Sequence, residues 1–191
     1  MKKLWEKIMN FRFKGAFILT LIFILLLVFV LVFERNREVK LDEAGQETFT
    51  VLDIKKDDVQ KVTFNNDGEK LVLNKQDDGS WKGKKEVMKD NKKSTDYFKV
   101  DSTKLDPILD EMIKIEAAEK IENPNLKDYG LENAKYSAIF ELKNNKKKEL
   151  FVGDKNPDGS SVYAKISDED YVFLAQTSIK AKIQTKESDL K

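Results

Sequence analysis

The chain has 191 residues, 35 of them Lys or Arg and 34 Asp or Glu, and it contains neither cysteine nor histidine. That composition excludes disulfide bracing, Cys or His nucleophile and base chemistry, and the zinc, copper and haem sites that depend on those ligands. Five of the basic residues and one acid precede Glu34, so the remainder carries 30 basic against 33 acidic residues, which is not the balance of a nucleic-acid binder.

Residues 1–14 interleave Lys2, Lys3, Lys7, Arg12 and Lys14 with Leu4, Trp5, Ile8, Met9, Phe11 and Phe13, a pattern suited to a membrane interface. Ala16 to Phe33 then runs without charge or proline. An apolar stretch of ~20 residues matches the hydrocarbon thickness of a bilayer, and the basic flank places the N-terminus inside. No small-residue cleavage pattern follows Val32 and Phe33, so residues 15–33 are expected to be an uncleaved signal anchor. Residues 34–47 are charged and read as a linker.

From Thr48 the period changes to that of strands. Phe49, Val51 and Ile54 open a strand, Lys55 to Asp58 break it, and KVTFNN and GEKLVLNK flank Asn65, Asn66, Asp67 and Gly68 as a hairpin. Val62 with Phe64 and Leu71 with Leu73 are expected on one face. A turn at Asp77, Asp78 and Gly79 brings Trp81 onto that face as a core residue rather than a sugar-stacking one. Residues 83–96 read as an exposed loop, with YFKV after it as a short strand. Leu105, Ile108, Leu109, Met112 and Ile113 fall at helical spacing, with Ser102, Thr103 or Asp106 as caps. Pro107 favours a helix start near Asp106. EAAEKIE is expected to return as a strand that Asn123 and Pro124 end.

Four further strands, YSAIFELK, KKELFVG, SVYAKIS and DYVFLAQ, are separated by turns at Asn144 and Asn145, at NPDG and at Ser167 to Asp170. The lysine run at Lys146 to Lys148 reads as a solvated turn. Residues 177–191 are a short helix at best, followed by a tail. Strands, a helix and strands again, joined by hairpins, give an α+β fold in which one main helix covers a largely antiparallel sheet over residues 48–176.

The candidate constellations are thin. Asp154, Asn156, Asp158 and Gly159 match the first half of a calcium-binding EF-hand loop, but Lys165 stands where the bidentate Glu belongs and Pro157 interrupts. A hairpin turn accounts for the same residues. Ser160 and Ser161 lack the helix-start Ser-x-x-Lys arrangement of a Ser/Lys catalyst. Asp110 and Glu111 are adjacent on a helix and diverge. No phosphate loop, metal motif or solenoid period appears, so no catalytic residue, cofactor or metal is assigned.

The combination of Trp81 after a Gly turn, an amphipathic helix, ENPNLKDYGLENAKYSAIFEL, FVGDKNPDGSSVYAKI and YVFLAQ resembles the bacterial domain of unknown function 4340 family, over roughly Phe49 to Ile183. The residues that carry the resemblance are Trp81, Asn123, Pro124, Tyr129, Gly130, Leu131, Gly153, Asp154 and Tyr163. The stretch GKKEVMKDNKKSTD departs from the short strand and Pro that commonly follow the Trp in that family. The resemblance implies a membrane-anchored outer domain, often encoded beside an ABC-type transporter with a gliding-type permease. The expectation is therefore a single-pass accessory or binding subunit, not an enzyme, acting in the bilayer with an integral-membrane permease and its ATPase. A carboxylate-based surface hydrolase and a surface scaffold or adhesion module are the alternatives.

Overall fold

A computed structural model of the chain describes residues 19–28, 40–41, 47–89 and 92–191. Contacts divide the chain into two units, Met1–Lys40 and Leu41–Lys191. In the first, residues 19–28 form helix α1, and its large apolar side chains are 46% to 69% exposed. Among the described residues no helix is long and apolar enough to cross a membrane. The flanks of the expected anchor, the basic segment 1–14 and most of the linker lie outside the described residues.

In the second unit, after a two-residue strand at the boundary (β1, Lys40–Leu41), the chain is mostly antiparallel sheet. The order is β2 (Glu47–Asp53), β3 (Val59–Asn66), β4 (Glu69–Lys75), β5 (Trp81–Lys89), β6 (Lys92–Lys99), α2 (Ser102–Met112), β7 (Lys114–Ala117) and β8 (Lys120–Glu122). There follow β9 (Tyr136–Leu142), β10 (Lys147–Lys155), β11 (Ser161–Ile166), β12 (Tyr171–Gln176) and α3 (Thr177–Ile183). Nine of the strands form one sheet in the order β6-β5-β4-β3-β9-β10-β11-β12-β8, and β2 pairs separately with β7.

Local chemistry explains the hairpins. Asp67 and Gly68 both take positive φ, 42° and 94°, as a two-residue turn matched to strand twist requires. The register then sets Val62 opposite Leu73 and Phe64 opposite Leu71, and all four are buried. Trp81 is 4% exposed and belongs to the same core. Helix α3 packs across β3, β9, β11 and β12, while α2 packs on α3 and β7. Leu105, Leu109 and Met112 of α2 and Ile183 of α3 are fully buried between these layers.

Several expectations are corrected. The described residues of 83–96 are strands, not a loop: β5 and β6 pair in register from Lys82 opposite Lys99 to Lys89 opposite Lys92. Charged side chains hide the alternation there, because an outer strand needs only Trp81, Gly83 and Phe98 on its inner face and carries lysine elsewhere. Lys147 and Lys148 likewise open β10 instead of forming a turn, paired by Lys147 to Glu141 at 3.5 Å and by Lys148 to Asp168. EAAEKIE splits into two strands that join different sheets, β7 with β2 and β8 with β12.

Helix α2 starts at Ser102, one turn before the expected position, and Pro107 sits inside it. The cap is Asp101, whose carboxylate accepts from the Thr103 backbone N–H at 2.9 Å and the Thr103 hydroxyl at 2.7 Å. Burial of Leu105 holds this first turn, so one missing N–H at Pro107 is tolerated. Helix α3 has Gln176 at its N-cap position, with no side-chain hydrogen bond to the cap.

The second unit also contains a repeat of element order about the β3–β9 pair. Each half runs from a 3₁₀ turn (Lys56–Asp58 or Leu126–Tyr129) through a four-stranded meander into a helix. The turns between second and third strands, Lys75 to Ser80 and Lys155 to Ser160, share their geometry. Gly79 donates to the Gln76 carbonyl at 2.9 Å and Gly159 to that of Asn156 at 3.0 Å. Asp78 and Asp158 each accept from the N–H of the serine two residues on, at 2.9 and 2.7 Å.

Candidate functional site

Six of the nine residues singled out in the sequence converge on one place, the irregular C-terminal end of β10. Its register with β11 shifts between Val152 and Lys155, so one extra residue is accommodated at Gly153 and Asp154. Over this point runs the segment from β8 to β9. Asn123 turns the chain with φ of 50°, a left-handed conformation that Asn tolerates better than most residues, and Pro124 follows. Leu126–Tyr129 forms a 3₁₀ turn closed by Gly130 in the left-handed region at φ of 68°. The Leu131 N–H then donates to the Leu126 carbonyl at 2.9 Å and its side chain is buried.

The approach of the two segments is close. A Cβ on Gly153 would lie 2.1 Å from the Tyr129 carbonyl oxygen, and one on Gly130 would lie 2.6 Å from the Asp154 carboxylate. At Gly153 only glycine fits, because the obstacle is backbone, whereas at Gly130 the left-handed φ is what favours glycine. Tyr129 meets Tyr163 of β11 edge to face, ring centroids 4.7 Å apart. Since Val162 and Ala164 face the core, Tyr163 stands on the opposite face of the sheet, and the Asn123 to Leu131 segment straps that face.

Helix α3 supplies residues that sequence reasoning missed. Lys180 donates to the Gly153 carbonyl at 3.1 Å and lies 4.5 Å from the centre of the Tyr136 ring. Its amphipathic period marks only Ile179 and Ile183, so nothing in the sequence tied this lysine to a glycine in β10. Trp81 is not part of the cluster, because four strands, β4, β3, β9 and β10, separate its strand β5 from β11.

The calcium-like residues are occupied by their own turn. Asn156 Oδ1 accepts from the Ser161 N–H at 3.0 Å, and Asn156 Nδ2 donates to Ser160 Oγ at 3.3 Å. The Ser160 hydroxyl and N–H hold the Asp158 carboxyl below the usual carboxylate range. Among the described residues, no group of three or more Asp or Glu side chains is placed to hold a metal ion. Asp110 pairs with Lys56 at 3.0 Å, and Glu111 pairs with Lys182 at 3.3 Å beside a groove of about 320 Å³ lined by Lys114, Ile115, Glu116, Gln176 and Ile179.

The strapped cluster therefore offers two phenol rings packed edge to face, an exposed carboxylate and a lysine already engaged with backbone and ring. Such a set suits contact with a partner surface, where tyrosines supply area at low entropy cost. The family profile described as "Domain of unknown function (DUF4340)" matches residues 93–191, just over half the chain. No curated protein and no solved structure matches. Of the nine carried residues, eight lie inside the matched range and Trp81 lies before it.

Proposed function

The chain belongs to the domain of unknown function 4340 family, and from that premise we propose that it is a single-pass, membrane-anchored subunit whose outer domain works by contact with a membrane transport or export complex. The observation that carries this reading is α1. A helix whose side chains Leu19 to Val28 are apolar apart from Thr20, and all exposed, costs free energy in water, and lipid or another apolar protein is the surrounding that removes the cost. The rest of the uncharged run to Phe33 and the basic flank before it support an anchor with its N-terminus inside.

The anchor confines the outer domain beside integral partners, so that even a weak contact through the strapped face becomes effective. A permease of the ABC type and its ATPase are the partners this reading names. Chemistry is not assigned to the domain, whose cluster holds one carboxylate and no nucleophile with an adjacent base.

Because the chain has no cysteine, a single introduced one reports topology cleanly. Lys143→Cys, on an exposed turn, is expected to react with a membrane-impermeant maleimide on intact cells, and Asn10→Cys only after permeabilisation. The reverse pattern would overturn the orientation. Mild detergent extraction of the tagged chain is expected to recover a permease-type protein. Turnover of a glycan or peptide by the purified chain, abolished by one Asp or Glu substitution, would instead establish a hydrolase.

A further inference from the structure

The large sheet ends at β6, which among the described residues has a strand neighbour on one side only. The β5–β6 hairpin, residues 81–99, contains seven lysines against three acids. Its register sets Lys82 directly opposite Lys99, a like-charge pair that works against the hairpin. Neither lysine forms a salt bridge among the described residues, whereas Lys84 and Lys85 next to them are paired with Glu86 and with Glu69. Tyr97 stands on the same face as Lys82 and Lys99 and is 78% exposed. It borders a groove of about 400 Å³ lined also by Ser80, Trp81, Gly83 and Phe98.

An outer strand protected by lysine alone needs neither an exposed ring nor an apolar groove. Here positive charge held in no salt bridge among the described residues, an exposed aromatic ring and an open backbone edge occur together. We propose that β6 receives an extended acidic segment of a partner protein as a further strand. Backbone hydrogen bonds to β6 supply the pairing, the partner's carboxylates lie against Lys82 and Lys99, and an apolar side chain of the partner enters the groove beside Tyr97. A second copy of the same chain is disfavoured as occupant, since two such lysine-rich edges repel. The proposal does not depend on the membrane anchor or on the identity of a transporter.

The test uses the full chain in detergent micelles and three labelled synthetic peptides followed by fluorescence anisotropy. One alternates glutamate with valine, the second alternates lysine with valine, and the third is the acidic peptide with prolines at alternate positions. The acidic peptide is expected to bind at least about tenfold tighter than either of the others, with slowed amide exchange confined to residues 92–99. Lys82→Glu with Lys99→Glu should reverse the preference between the acidic and basic peptides. Tyr97→Ala, an exposed position that leaves the fold intact, should weaken the acidic peptide severalfold.

Equal binding of the proline-interrupted peptide would show plain charge attraction and overturn strand addition. Equal binding of the basic peptide would overturn the assignment of an acidic partner. Vesicles containing anionic lipid that bind the chain through Lys82 and Lys99, and displace the acidic peptide, would replace the protein partner by a membrane surface.

Discussion

Gly153 and Asp101 show how single residues set this structure. At Gly153 an added methyl group meets a backbone oxygen rather than a movable side chain, so Gly153→Ala must lift the strap or bend β10. We expect a loss of about 1 to 3 kcal/mol in denaturant unfolding, with faster amide exchange across residues 123–131. Unchanged stability and exchange would mean that the strap is not seated on β10. Gly130→Ala meets a carboxylate that can swing into solvent, so its cost is mainly that of the left-handed backbone, about 1 to 2 kcal/mol. Asp101 acts through charge. The Thr103 hydroxyl, then the Thr103 N–H, lower its pKa in the folded chain, so its stabilising effect is present above the unfolded aspartate value of ~3.9 and disappears as pH falls through the lower folded value. The difference in Tm between the parent and Asp101→Ala should therefore be largest near neutrality and shrink toward zero in strong acid. A difference that persists below the folded value would assign the cap to something other than the carboxylate.

At the scale of elements, legibility in the sequence followed side-chain chemistry. The Asp67–Gly68 hairpin, the Trp81 core position and the apolar face of α2 were readable because turn residues and apolar period agree there. The β5–β6 hairpin was not, because strand pairing is made by backbone atoms and lysine hides the period of two. The strapped cluster was visible only as a set of residues carried by resemblance; that Tyr129, Gly130, Gly153 and Tyr163 touch depends on a register shift that no local pattern encodes. The importance of α3 was also hidden, since seven residues with two isoleucines look marginal until Ile179 and Ile183 are seen on four strands. We expect Ile183→Ala and Leu109→Ala each to cost about 2 to 5 kcal/mol, as both side chains are fully buried. Losses below about half a kcal/mol in urea titrations would remove the helix from the core.

For the second unit as a whole, the two meanders share one core. The β3–β9 ladder joins them from Val59 opposite Leu142 to Asn66 opposite Tyr136, and α3, which ends the second half, packs on β3 of the first. The Asp101 N–H, at the end of the first meander, donates to the carbonyl of Leu190, whose side chain is fully buried. Equivalent element order therefore does not make two independent folding units. Circular dichroism and the fluorescence of Trp81, read in a Trp5→Phe variant, are expected to report one coincident transition, and two separated transitions would show that the halves unfold on their own.

Closure of the core by Ile179, Ile183 and Leu190 has a consequence in time. A chain made from its N-terminus onward can pair β3 to β6 as those strands emerge, yet the core they share stays incomplete until α3, which packs on β3, and the buried Leu190 have been synthesised. For most of its synthesis the nascent polypeptide is thus a set of hairpins without a lid, open to chaperones and proteases. Ribosome-bound chains arrested with only residues up to Gln176 exposed should be digested rapidly, and chains with residue 191 exposed should resist. Equal resistance would show that the sheet protects itself before its last helix arrives.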